Sequence, residues 1–158
     1  MIISTRESVA TRSKVLHLGI SQISGGSRTS VGGYATPEPK KENSAQFDIS
    51  DTRTLDEVVN WLLDMGHIPS FCTACYRAGR TGDRFMSLVK SGQIANCCAP
   101  NALMTLKEYL EDYASADTRS QGEVLIQKEL KHIPNPKIKE IAARNLKEII
   151  EGKRDFRF

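Results

Sequence analysis

All four cysteines of this chain stand between Cys72 and Cys98, and no other feature of the sequence limits the fold as tightly. Cys72-Thr-Ala-Cys75 sets two thiols on one turn, twenty-two residues follow, and Cys98 returns a third with Cys97 beside it. For three sulfurs to share a metal the chain must double back within that interval, and a helix over about Asp83 to Lys90 is the predicted means. Three protein ligands with an open position mark a reactive centre. A structural zinc site closes with a fourth, for which Cys97 or His67 is available. An iron-sulfur cluster suits a thiolate-only set of this spacing, with structural zinc, a dithiol redox pair or inert buried thiols as the alternatives.

At 158 residues the chain is about one domain and too short for a complete (β/α)8 barrel, which needs roughly 250. Twenty-two Lys and Arg against nineteen Asp and Glu leave a surplus of +3 spread along the sequence, so there is no concentrated basic patch to neutralise nucleic-acid phosphates. No apolar run approaches the roughly 18 residues of a membrane helix, and the N-terminus lacks a charged segment followed by an apolar one. These features predict a soluble, cytoplasmic protein with no nucleic-acid and no membrane partner. There, grouped cysteines read as metal-binding or redox residues before disulfides.

Residues 1–34 predict strand, helix, strand. Met1 to Ser4 is a short apolar run, Ser4-Thr-Arg-Glu7 fits a capping box, Val9, Val15, Leu16 and Leu18 supply an apolar face, Gly19 ends the helix, and Ile20 to Ile23 is a second strand. A parallel pair with a helical crossover is a βαβ unit, which cannot cover its own sheet. Either a small domain carries this two-strand unit alone, or, since a domain rarely opens on a strand buried on both sides, it is the last strand-helix-strand of a TIM-type barrel whose earlier strands are absent, which is the expected reading. Residues 35–53 read as loop and linker. Residues 54–158 read as a helical domain: a capping box at Thr54-Leu-Asp-Glu57, a helix ending at Gly66, Pro100 at the first position of a helix with Leu103, Leu106, Leu110 and Tyr113 in its buried stripe, then helices over about Gln121 to Lys131 and Ile138 to Glu151. Between the cysteines, Arg77, Arg80 and Arg84 either offset the charge of a thiolate-bound cluster or form a basic surface turn paired to Asp83 or Glu108.

The run Ser70-Phe-Cys-Thr-Ala-Cys-Tyr-Arg-Ala-Gly-Arg-Thr-Gly-Asp-Arg-Phe85, with Gly92-Gln-Ile-Ala-Asn-Cys-Cys-Ala-Pro-Asn-Ala-Leu103 and Lys107-Glu-Tyr-Leu-Glu-Asp-Tyr-Ala114, resembles the C-terminal region of the FeFe-hydrogenase maturase that is a radical SAM tyrosine lyase. Ile20-Ser-Gln-Ile-Ser-Gly-Gly-Ser-Arg-Thr29 is similar to the last strand and loop of that enzyme's barrel, and to the related 2-iminoacetate synthase of thiamine biosynthesis.

The resemblance implies an α/β remnant of a radical SAM barrel followed by a mostly helical iron-sulfur auxiliary-cluster domain. It selects Cys72, Cys75 and Cys98 as ligands of a 4Fe-4S-type cluster with room for an additional iron, and leaves Cys97 free. It places Arg6, Ser24, Ser27 and Arg28 where the family holds the carboxylate and amine of its amino-acid substrate. The whole enzyme uses S-adenosylmethionine and a second 4Fe-4S cluster to cleave tyrosine. Tyrosine-derived dehydroglycine then becomes carbon monoxide and cyanide at the auxiliary cluster, for delivery through other hydrogenase maturation proteins. The family's Cys-x3-Cys-x2-Cys motif does not occur in this sequence. The chain alone is therefore expected to be inactive toward S-adenosylmethionine and tyrosine.

Overall fold

The computed structural model describes residues 2–30, 32–35 and 45–158. Among these residues the chain is mostly helical, with seven helices and one two-stranded sheet. It divides into two compact units, Met1–Val58 and Val59–Phe158. No barrel is present among the described residues.

In the first unit β1 (Ile2–Ile3) pairs in parallel with β2 (Gln22–Ile23), with Ile2 opposite Gln22 and Ile3 opposite Ile23. The crossover is α1 (Val9–Leu16), and Gly19 follows it at φ 85°. The cap differs from the one expected. Ser8, not Ser4, accepts from the Thr11 amide, while the Ser4 hydroxyl turns back to the Arg6 amide at 3.2 Å. A short hydroxyl side chain bonds equally well two residues on, which delays the helix by a turn. Leu18 lies beyond the helix end and is exposed, so Leu16 and Arg12 form the buried side of α1.

Residues 45–53, read from the sequence as part of a linker, are tied into this unit: the amides of Ser50 and Asp51 both donate to the Thr5 carbonyl at 3.0 Å. The linker residues 36–44 lie outside the described residues. Gly26, at φ 63°, runs so close to the start of α2 (Leu55–Asp64) that a Cβ there would sit 3.2 Å from the Leu55 nitrogen. Both the conformation and the approach require glycine. The Thr54–Glu57 capping box forms as expected, each residue bonding the other's amide.

The second unit is built on α5 (Ala95–Asp112), which packs against α6 (Ala116–Lys131) and α7 (Pro136–Ile150). Ser115 caps α6; Asn135 caps α7, whose first turn holds Pro136. Leu103, Met104, Leu106 and Leu110 are buried on α5, with Val59 and Leu63 of α2 in the same core. Tyr113, expected in the buried stripe, is 76% exposed; it stands at the C-cap, where the backbone has left helical geometry, and Tyr109 takes the buried aromatic place. Pro100 is not the first helical residue. The helix starts at Ala95 through bonds three residues back, such as Cys97 N to Ile94 O at 3.0 Å, so a further turn and both late cysteines precede the proline. A missing amide near a helix start removes a single bond, which this tighter winding tolerates.

The α5–α6 contact centres on Gly122, where a Cβ would meet Leu110 Cδ1 at 2.5 Å. Ala would gain about 1 kcal/mol of helix propensity at this position, but forcing an atom against a fully buried leucine costs about 1–3 kcal/mol. Gly122→Val, which adds crowding without the propensity gain, is expected to lower stability by about 2 kcal/mol in urea denaturation. An unchanged midpoint would show that α5 and α6 can move apart at no cost.

Candidate functional site

The segment before the first cysteine is docked on α5. The Phe71 ring stacks on Tyr109 with centroids 5.1 Å apart, and its amide donates to Thr105 Oγ1 at 3.3 Å. Cys72 follows directly, its sulfur accepting from the Ala74 amide at 3.4 Å, and Cys75 sits on the short helix α3 (Ala74–Arg77). Helix α4 (Gly82–Lys90) is the predicted return element. It leads to Cys97 and Cys98 in the first turn of α5.

All four cysteines are free thiols; Cys98 is exposed and the others are half-buried. Partial burial pushes the Cys98 thiol above its ordinary range, Cys75, Cys72 and Cys97 push the same way, and Arg80 opposes them. The three other sulfurs are therefore near enough to act on Cys98 electrostatically. Among the described residues no three His, Cys, Asp or Glu side chains form a group that could hold a metal ion. A single ion requires donors that meet at a point, whereas a multi-iron cluster takes each thiolate on a different iron and asks for thiols around a shared space. An all-sulfur donor set is of the kind the second requirement asks for.

The three intervening arginines separate into different roles. Arg77 binds the Asp155 carboxylate, with Nη2 to Oδ2 at 2.8 Å. Arg80 donates to Cys97 Sγ at 3.3 Å and to the Phe158 carbonyl at 2.5 Å, and its Nε is buried without a partner. Arg84 lies with Nη1 3.9 Å from the position of a Cβ on Gly79. Neither expected surface partner, Asp83 or Glu108, takes Arg77. Its partner lies 78 residues away in sequence, and no local pattern marks it.

The four residues assigned to substrate by resemblance belong to the first unit. Because β1 and β2 are parallel, Arg6 after β1 and Ser24 after β2 emerge at the same end of the sheet. The Arg6 guanidinium lies 4.2 Å above the Phe47 ring centroid. Ser24 donates its amide to the Ile3 carbonyl at 2.9 Å, and its own carbonyl accepts from buried Arg12. The Ser27 carbonyl and that of Thr52 accept from Arg28 Nη1 at 3.0 and 3.1 Å. Sequence reasoning missed the group beneath this loop: Arg12 also pairs with Asp51, both side chains fully buried, and Arg53 binds the same carboxylate at 2.6 Å. An arginine inside an otherwise apolar helix face was the available signal.

Residues 1–68 match the family described as the Biotin and Thiamin Synthesis associated domain. The whole chain superposes on the crystal structure of HydG, a maturase of the FeFe-hydrogenase, with a TM-score of 0.91 and 49% sequence identity. That match covers 100% of this chain and 34% of HydG, so the chain spans about a third of the length of that relative. No curated protein matches. The resemblance to the hydrogenase maturase is thereby shown, and no helix among the described residues is long and apolar enough to cross a membrane.

The hydrogen bonds from Arg53, foremost, hold the Asp51 carboxyl down at about 2. A depressed carboxylate stabilises the fold above its unfolded pKa and loses that contribution as pH falls toward the folded value. About 2 kcal/mol is therefore present above about pH 4 and lost on approach to pH 2. Asp51→Asn, which strands buried Arg12, is expected to cost about 3–5 kcal/mol at neutral pH. Urea unfolding followed through α1 amide resonances should show the gap from wild type narrowing between pH 5 and pH 2; a constant gap would remove Asp51 as its source.

Proposed function

We propose that this chain is the C-terminal part of a radical SAM hydrogenase maturase and carries its auxiliary iron-sulfur centre, with the strand-helix-strand of residues 1–34 as the last piece of the barrel. The observation that carries this reading is the likeness to HydG along the full length of the chain, cysteine segment included. The match to the Biotin and Thiamin Synthesis associated domain at residues 1–68 supports the barrel-end assignment.

Cys72, Cys75 and Cys98 hold the cluster. Cys72 and Cys75 lie on one turn, and both sulfurs act electrostatically on Cys98. Cys97 is engaged by Arg80 and stays outside the ligand set. A cluster held by these three thiols would supply the iron chemistry for assembling carbon monoxide and cyanide from tyrosine-derived dehydroglycine for the FeFe-hydrogenase H-cluster. Arg80 places positive charge beside the thiolates and offsets their repulsion. In the first unit, Arg6 and Arg28 offer guanidinium donors for a substrate carboxylate, with Ser24 and Ser27 as neutral partners at the same sheet end. S-adenosylmethionine and a second 4Fe-4S cluster belong to the longer enzyme, together with tyrosine cleavage. The protein works in the cytoplasm with other hydrogenase maturation proteins.

Anaerobic reconstitution with counts of iron, sulfide and zinc tests this reading. The chain is expected to bind iron and sulfide in near-equal amounts, and one tightly held zinc in their place overturns the assignment. Ser substitution at Cys72, Cys75 or Cys98 should abolish cluster uptake, while Cys97→Ser retains it. Loss from Cys97→Ser with retention by Cys98→Ser would exchange their roles.

A further inference from the structure

The last residues of the chain run back along α5 toward the cysteines. Arg154 grips Asp112 through two bonds of 2.9 and 2.5 Å, the Asp155 amide donates to Glu108 Oε1 at 2.8 Å, and the Phe158 amide donates to Asn101 Oδ1 at 2.9 Å. The anchors descend from position 112 to 108 to 101, three residues short of Cys98. Phe156 and Phe158 pack against the core between these anchors. Asp155 is the one non-glycine residue with positive φ among the described residues, at 68°. Such a backbone persists where its surroundings determine it, here by bonds on both sides. From the cysteine side, Arg77 clasps Asp155, and Arg80 divides its guanidinium between the Phe158 carbonyl and the Cys97 sulfur.

We infer that Arg154–Phe158 is a built arm of the cysteine centre, holding the loop between Cys75 and α4 through Arg77 and fixing Arg80 against Cys97 as a positioning residue. Half of the Arg80 fork is occupied by a backbone oxygen that cannot move without lifting the tail from α5. That oxygen sets where the other half points. A guanidinium held beside the sulfurs stabilises the more negative, reduced state of a bound cluster and raises its midpoint potential. The potential arm of this inference rests on the cluster reading proposed above; the loop arm does not.

Three variants of the full chain test it: Asp155→Asn, which keeps a residue at ease with positive φ, deletion of Arg154–Phe158, and Arg80→Ala. In the metal-free protein, amide exchange over residues 76–84 is expected to rise several-fold in Asp155→Asn, with α6 and α7 unchanged, and more than tenfold in the deletion. In the reconstituted protein, Arg80→Ala should shift the midpoint potential of the cluster-loaded fraction downward. Unchanged exchange over 76–84 in Asp155→Asn overturns the inference, as does an unmoved potential in Arg80→Ala. If the deletion unfolds the whole chain, Asp155→Asn decides alone. If the wild-type chain takes up no iron, the cluster reading fails and the exchange measurement still decides the role of the tail.

Discussion

Leu103, Met104, Leu106 and Leu110 leave water together as α5 packs on α6 and α7, and the cysteine centre takes its position from that burial. Each such side chain contributes about 1.5–3 kcal/mol when fully buried, against about 0–1 kcal/mol for an exposed ion pair such as Arg77–Asp155. The helix is therefore placed by its apolar face, and the charged contacts around it adjust what it carries. At one end it presents Cys97 and Cys98; along its flank Tyr109 and Thr105 receive the segment that leads into Cys72. Both cysteine-bearing stretches, distant in sequence, are fastened to one rod.

The local rules of the sequence located much of this arrangement. The crossover between parallel strands, the Thr54–Glu57 box, the helix between the cysteine pairs and the glycine after α1 are written in short-range patterns, and each appears. The misplacements share a physical origin. Ser4 and Ser8 both precede α1 with equal chemistry, and nothing local says which hydroxyl meets the helix. Pro100 is a good first residue, yet tighter winding behind it adds a turn. Tyr113 has the right period and stands one residue beyond helical geometry.

Contacts that join distant positions were not legible as pairs. Arg12 with Asp51, Arg77 with Asp155 and Arg80 with the Phe158 backbone oxygen span from 39 to 78 residues of sequence, and although Arg12 stands out in an otherwise apolar helix face, no local pattern names any of the partners. Arg12 and Asp51 are instead completely buried, where removing one partner leaves an uncompensated charge. Such a pair specifies one arrangement of its loop more sharply than an apolar contact could, since few alternatives satisfy both groups.

Gly122 has a consequence for how sequences of this kind vary. In the middle of a helix glycine is a poor choice, and it stands here because the Leu110 side chain occupies the volume that any Cβ would need. The two positions therefore share a fixed allotment of space. A homologue carrying a larger residue at 122 must carry a smaller one at 110, so the pair should drift together while each, taken singly, looks immovable.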